Sequence, residues 1–326
     1  MKILLTGITS IQTNTRGPRS KRDYSSFPYI LHKMLMDLGH RVTFAPYHPH
    51  IHNLSSYDRV LIGLAPTSSR VSVWAYNAFL AMQHERKLFY LVDWDVKSAF
   101  SKRIMNDPFG EFVAGCNKLD PSRVERKIIE KKINWFFKEK HDVMAQMFNW
   151  GNHDIIKETA PIDHIYAIDP TSCVDLPKVK RLSKKNYQWV TATLKDNEQK
   201  LGKINFTWDL VEYNKNNYRP EKLLITEDYT ENWGVIALPY YHRGCGWFRS
   251  RILHAAHTNS VLLAHPDEVA PIAEKNNPYL IDVAKVEAMS HVKLNDLANA
   301  QRKALMSHVM DKSDTLDKLD DILRRI

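Results

Sequence analysis

The chain has 326 residues, of which 44% are hydrophobic and 25% charged, a composition that is typical of globular proteins and excludes intrinsic disorder. Its net charge of +9 favours an anionic partner, although a basic protein without such a partner has the same charge. The cysteines, Cys116, Cys173 and Cys245, are far apart. Their spacing excludes a disulfide framework and favours the cytoplasm. We expect no signal peptide and no membrane span, because no apolar run is long enough.

The N-terminal half predicts alternating strands and helices. The short apolar run Lys2–Gly7 is typical of a buried strand. A helix is predicted between Ser26, its N-cap, and Gly39, its C-terminal stop. One face of that helix is apolar, with Phe27, Ile30, Leu31, Met34, Leu35 and Leu38. Later strands are predicted at Arg41–Ala45, Arg59–Leu64, Lys87–Val92 and Ile165–Ile168, and helices at Val71–Gln83, Pro121–Lys140 and His153–Thr159.

This order of elements predicts a parallel sheet, whose ligands bind at the carboxyl ends of the strands. The loops after Gly7, Leu64 and Val92 are therefore the candidates for a site. The first of these loops has four basic residues before its first acid and is the better candidate for DNA phosphate contacts; they are Arg16, Arg19, Lys21 and Arg22. The basic residues of 121–140 alternate with acids and fit a solvated helix face equally well.

A basic stretch between the two halves, Lys178–Lys185, marks a change in composition and predicts a hinge near it. We expect one domain at 1–169 and a second at 170–305. The second half predicts further strands and helices, with the last fifty residues helical. Its strands are predicted at Tyr187–Thr193, Lys222–Ile225, Val235–Leu238 and Val261–Leu263, and its earlier helices near Asp196–Leu201 and Phe248–His257.

Two carboxylates, Asp93 and Asp95, follow the predicted buried strand Lys87–Val92. Because they alternate with Trp94, both point the same way if the chain is extended there. A carboxylate at the end of such a strand can act as a general base that takes a proton from a hydroxyl group. Capping of the next helix is an equally good explanation of their position.

The segment from His242 to Arg251 is the most informative part of the second half. Gly244 and Gly246 allow a close backbone approach, a helix is predicted to begin just after them, and Arg249 and Arg251 lie at its start. A helix N-terminus with arginines is suited to a diphosphate. A glycine turn followed by solvated arginines is the alternative explanation of the same residues. Thr193 and Lys195 follow the first strand of this half, where a nucleotide phosphate would also bind.

No metal site is predicted. His48, His50 and His52 alternate as strand ligands would, but Pro46 and Pro49 interrupt any strand there. Gly151–Asp154 is similar to a short string of dinuclear-metal phosphoesterases, but the two other segments that such enzymes need are missing.

Four segments together resemble the DNA glucosyltransferases of T-even bacteriophages, which are GT-B glycosyltransferases of the β-glucosyltransferase type. The segments begin at Met1 and Tyr57 and run from Lys87 to Phe100 and from Arg251 to Leu263. They are collinear with that family over most of the chain, with 101–140 and 202–221 matched poorly.

The resemblance implies an α/β protein of two Rossmann-like domains facing a central cleft, with residues 306–326 packing back on the first domain. The N-terminal domain would bind double-stranded DNA. The C-terminal domain would bind a UDP-sugar, with UDP-glucose as the expected donor and a divalent metal as an optional companion. The acceptor would be a hydroxymethylated pyrimidine, hydroxymethylcytosine or hydroxymethyluracil, flipped out of the duplex. The protein would act as a monomer in the cytoplasm of an infected cell, without a membrane partner.

Carried over residue by residue, the catalytic aspartate is Asp95, or Asp93 if a one-residue insertion lies later. His254 stands where the family has a glutamate on the donor ribose, and an imidazole accepts fewer hydrogen bonds than a carboxylate. Glycines of the family's phosphate loop are also missing from Thr191–Leu194. The expected donor site comprises Gly7, Thr193, Lys195, Gly244, Gly246, Arg249, Arg251 and His254.

Two other functions fit the same residues. The chain could be a glycosyltransferase of this fold with a polysaccharide or small-molecule acceptor, or a DNA-binding protein without catalysis on the same fold. Binding of a UDP-sugar separates the enzymes from the binding protein, and use of duplex DNA as acceptor separates the two enzymes, because fold alone decides neither.

Overall fold

The computed structural model describes residues 1–6, 27–44, 54–64, 84–91, 138–158, 160–174, 186–190, 232–237, 250–264 and 288–326, together with 127, 130, 131, 245, 278, 279, 285 and 286. Within these residues the chain forms two parallel sheets and five helices. No described helix is long and apolar enough to cross a membrane.

The N-terminal sheet has six parallel strands in the order β2-β1-β3-β4-β5-β6. The inner strands β1, β3 and β4 are buried, as expected of a parallel sheet covered by helices, which explains why their sequences are apolar runs rather than alternating ones. The order reverses between β1 and β3, which makes the crevice outside their carboxyl ends the expected ligand site of such a sheet. The strands are β1 Lys2–Thr6, β2 Arg41–Phe44, β3 Arg59–Leu64, β4 Lys87–Leu91, β5 His141–Gln146 and β6 Ile162–Ile168.

Helix α1, Phe27–Asp37, packs on one face of this sheet through the apolar stripe that its sequence predicts. Gly39 follows it with a φ of +76°, the left-handed conformation that ends many helices and that glycine adopts without steric cost. The chain can therefore turn directly into β2, and the backbone NH of His40 donates to Leu35 O at 3.1 Å.

Tyr90 links three strands on the face that α1 covers. It pairs in register with Gly63 of β3, and its hydroxyl donates to Thr6 O at the end of β1, at 3.4 Å. The ring reaches β1 because Gly63 has no side chain to block it. Phe27 of α1 packs edge-on against the same ring. Burial raises the pKa of Tyr90 far above its usual range, so this hydroxyl remains a hydrogen-bond donor at every physiological pH.

The C-terminal helix belongs structurally to the N-terminal sheet. This helix, Lys312–Arg325, is numbered α5, and its apolar residues lie in the same core cluster as those of α1. Near its start the Thr315 hydroxyl donates to Asp169 O at 3.3 Å, just after β6. Near its end Arg59 Nε donates to Leu323 O at 2.6 Å. The two anchors lie at opposite ends of the sheet strands, so the helix crosses the sheet between them.

The second sheet has three parallel strands in the order β7-β8-β9. They are β7 Asn186–Val190, β8 Asn232–Ala237 and β9 Val261–Ala264, and the remaining helices are α2 Asp154–Lys157, α3 Ser250–Thr258 and α4 His291–Met306. Gln301 of α4 attaches that helix to β9: its Oε1 accepts from Leu262 N and its Nε2 donates to Leu262 O, both at 2.8 Å. The amide thus occupies hydrogen-bonding groups of β9 as another strand would.

The predicted parallel sheet, the first helix and the helical C-terminus are confirmed. Some predicted boundaries were wrong: β6 starts at Ile162 rather than Ile165, β8 starts at Asn232 rather than Val235, and the helix expected at His153–Thr159 is the single turn α2. Strand β5 was not predicted at all. The predicted elements that lie outside the described residues are the helices at Val71–Gln83 and Asp196–Leu201 and the strand at Lys222–Ile225.

Candidate functional site

The candidate site lies at the carboxyl edge of the N-terminal sheet. Strands β1, β3 and β4 end there at Thr6, Leu64 and Leu91, and their register places these ends side by side. The three loops that the sequence singles out leave the sheet at these points. Parallel strands deliver their following loops to the same crevice, so residues that are far apart in sequence can meet one ligand there.

Buried polar groups without hydrogen-bond partners occur at this edge. The Thr6 hydroxyl and the Gln146 Oε1 are both sealed from solvent, and neither has a partner among the described residues. Each belongs to the last residue of its strand, β1 or β5. A buried polar atom without a partner costs about 1–3 kcal/mol, and most proteins leave very few of them. Their position at the ligand edge indicates groups held ready for a bound molecule.

A buried carboxyl group, Asp169, follows β6 at the same edge. Its Oδ1 accepts hydrogen bonds from the Thr171 hydroxyl at 2.6 Å and from Thr171 N at 3.1 Å. Burial raises the pKa of Asp169, while the Thr171 hydrogen bonds and the charge of Lys318 act in the opposite direction. Because Thr315 of α5 also binds the Asp169 carbonyl, this residue connects the end of the sheet to the returning C-terminal helix.

Sequence reasoning missed Gln146 and Asp169. Gln146 was missed because its strand was missed, and Asp169 because the residues around it indicated only a boundary. The signal that could have found both is a polar residue directly after a run of buried apolar ones: Val-Met-Ala before Gln146, and Tyr-Ala-Ile before Asp169.

The second sheet has an equivalent edge, next to which α3 lies. Helix α3 contacts both β8 and β9. It carries two expected donor residues: Arg251, in its first turn, and His254, which is buried. Cys245, which stands between the two glycines of the preceding segment in the sequence, is also buried. The His254 carbonyl accepts from the Thr258 hydroxyl at 2.9 Å.

The remaining expected site residues lie outside the described residues, and their roles stay predictions. They are Asp93 and Asp95 for catalysis, Arg16, Arg19, Lys21 and Arg22 for DNA, and Gly7, Thr193, Lys195, Gly244, Gly246 and Arg249 for the donor. Within the described ranges, no three His, Cys, Asp or Glu side chains converge as metal ligands would.

Comparison with solved structures identifies the architecture. The chain is similar to the β-glucosyltransferase of phage T4 in complex with UDP-glucose, with a TM-score of 0.63 and 13% identity over 99% of both chains. An aspartate-to-alanine variant of that enzyme with UDP-glucose gives a TM-score of 0.62 at 11% identity, again over 99% of both chains. The two proteins share one fold.

That fold is the GT-B arrangement of two Rossmann-like domains, as the resemblance implied. The same T4 enzyme in complex with UDP and Mn²⁺ gives a TM-score of 0.61 at 11% identity, over 99% of both chains. No protein-family model matches the sequence, and no curated protein does. The similarity therefore lies in the backbone arrangement of the whole chain.

Proposed function

We propose that this protein is a glycosyltransferase that moves glucose from UDP-glucose to a hydroxymethylated pyrimidine in duplex DNA. One observation carries the proposal: both sheets and the returning C-terminal helix correspond, over 99% of both chains, to a phage enzyme that binds UDP-glucose and modifies DNA.

The donor would bind at the second sheet. The N-terminus of α3 offers free backbone NH groups and a partial positive charge, which suit a diphosphate. Arg251 lies in its first turn, and Arg249 and Lys195 would complete the phosphate contacts. His254 on the same helix would replace the ribose-binding carboxylate with an imidazole.

The acceptor would bind at the carboxyl edge of the N-terminal sheet. The net charge of +9 suits a polyanion, and the loop after β1 carries Arg16, Arg19, Lys21 and Arg22. Because the hydroxymethyl group of a paired base is out of reach, the nucleotide would leave the stack and enter the cleft. The protein would act as a monomer in the cytoplasm of an infected cell.

The reaction needs a base, an electrophile and a leaving group. Asp95, four residues beyond the end of β4, would take the proton of the hydroxymethyl O–H as its oxygen attacks the anomeric carbon of glucose. The bond from that carbon to the diphosphate oxygen breaks, and UDP leaves with the electron pair. The arginines and Lys195 stabilise the charge that develops on the diphosphate. Sugar passes from one oxygen to another, and the proton remains on Asp95.

A transfer assay tests this function. The chain is incubated with UDP-glucose and a hydroxymethylated duplex, with and without Mn²⁺, and UDP release is compared with that on an unmodified duplex of the same sequence. We expect release that requires the hydroxymethyl group. Release without any DNA dependence would indicate another acceptor. Tight DNA binding with no UDP-glucose binding would indicate a DNA-binding protein without catalysis.

A further inference from the structure

We propose that Gln146 is a specificity-determining residue, whose side-chain amide hydrogen-bonds the edge of the acceptor pyrimidine. This inference rests on the proposed function. Gln146 ends β5, the strand between β4 and β6. Its side chain is only 7% exposed, and Oε1 has no hydrogen-bond partner among the described residues. A buried amide in this state weakens the fold, so a ligand gives a reason for its presence.

The register of the sheet places Gln146 beside the candidate catalytic loop. Leu91, the last residue of β4, pairs with Ala145, so Gln146 is one residue beyond the last pair of these two strands, and Asp93 is two residues beyond Leu91 in the sequence. On its other side Gln146 pairs with Ile168 of β6. The group that takes the acceptor's proton and this amide therefore leave the sheet from neighbouring strand ends.

An amide suits a pyrimidine because it both donates and accepts hydrogen bonds. The Gln146 Oε1 is the polar atom without a partner among the described residues, so the amide can accept a hydrogen bond from a donor on the ligand. Cytosine and uracil present opposite donor and acceptor groups at position 4, and a flipped base is recognised on that edge. The donor sugar is a less suitable partner, because the sugar nucleotide belongs to the other sheet.

Gln301 provides a matched control. It is also a buried glutamine, 2% exposed, but its amide is fully used. It bonds both backbone groups of Leu262, and its Nε2 donates to Pro278 O at 3.2 Å. Replacing either glutamine by methionine keeps the side-chain length and removes the polar atoms.

The experiment compares Gln146→Met, Gln301→Met and wild type by melting temperature and by affinity for two labelled duplexes that differ only in the target base, one with hydroxymethylcytosine and one with hydroxymethyluracil. For Gln146→Met we expect a melting temperature at or above wild type and a preference between the two duplexes roughly tenfold smaller than that of wild type, the worth of about one hydrogen bond. For Gln301→Met we expect a lower melting temperature and an unchanged preference.

The inference is overturned if Gln146→Met melts below wild type with its preference intact, or does not fold, because the amide would then be structural. It is equally overturned if only UDP-glucose affinity falls, or if wild type shows no preference. The readout needs no sugar transfer. A wild type that discriminates the duplexes but transfers nothing contradicts the proposed function alone, whereas full transfer by Gln146→Met with unaltered preference contradicts this inference alone.

Discussion

Asp95 is the residue on which the proposed chemistry depends. Asp95→Asn keeps the size of the side chain but cannot accept the hydroxyl proton. We expect sugar transfer to fall about 10²–10⁴-fold, the usual worth of a general base, with DNA and UDP-glucose affinities nearly unchanged. Single-turnover rates of transfer measure the effect, and Asp93→Asn is the control. If Asp93→Asn has no activity and Asp95→Asn is fully active, the general base is Asp93 rather than Asp95. If both variants are fully active, neither aspartate is the general base.

Two histidines make stability depend on pH. Burial lowers the pKa of His32 below 6.5. Burial also lowers the pKa of His40, helped by the N-terminal ammonium group and opposed by Asp320. Between the lowered and the ordinary pKa the unfolded chain holds more protons, so unfolding free energy is lost as pH falls below about 6.5.

Melting temperatures from about pH 7 to about pH 5 test this dependence. The double variant His32→Gln/His40→Gln should lose less stability over this range than wild type, and replacing the exposed His164 by glutamine should not alter the slope. Burial raises the pKa of Asp169, so this group increases the free energy of unfolding as pH falls, whereas the two histidines decrease it. The test therefore compares the variants with wild type rather than using the wild-type slope alone. A double variant with the wild-type slope would contradict the assignment.

Helix α5 depends on Arg59 for the attachment of its last turn. Arg59 is buried and bonds Leu323 O and Asp58 O, so it satisfies a terminal helix carbonyl with a positive charge. Arg59→Met should lower the free energy of unfolding by about 2–3 kcal/mol, since charge-assisted hydrogen bonds are lost. Arg324→Met removes an exposed ion pair with Asp320 and should change it by less than about 0.5 kcal/mol. Denaturant unfolding measures both, and equal losses would contradict the anchor.

The sequence predicts the elements whose buried residues form an apolar run or an apolar helix face. It misses the elements in which polar residues interrupt the buried apolar ones. Strands β1 and β3 are apolar except at their end residues, and helix α1 is apolar along one face. Strand β5 carries His141, Asp142 and Gln146 around three apolar residues, so its sequence resembles a continuation of the charged segment before it. Because β5 was missed, its last residue could not be placed at the candidate site either.

At the scale of the whole molecule, the spacing of apolar residues shows that the C-terminal residues are helical. It does not show which part of the molecule this helix packs against. The contact from Arg59 to Leu323 joins positions 264 residues apart, and nothing local encodes it. The family resemblance supplied that expectation, and it also favoured Asp95 over Asp93 and added His254 to the donor residues that the sequence pattern indicates. The loops that carry most of the site were located from the ends of strands alone.

The charge of the whole molecule should make DNA binding depend on salt. If Arg16, Arg19, Lys21 and Arg22 contact phosphates, neutralising all four should reduce the slope of log affinity against log salt by about 3–4 units. UDP-glucose binding should be unaffected. The control is a variant in which Lys127 and Lys131, two exposed basic residues of the segment 121–140, are neutralised. An unchanged slope in the four-residue variant would mean that these basic residues face solvent and do not contact DNA phosphates.

The proposed activity of this protein is the transfer of sugar to DNA. The most direct measurement is the mass of the nucleosides released by digesting a hydroxymethylated duplex after incubation with the wild-type protein and UDP-glucose. We expect a nucleoside heavier by one hexose, absent when the duplex carries ordinary cytosine and thymine. Nucleosides of unchanged mass, in a reaction where the protein binds both UDP-glucose and the duplex, would contradict it.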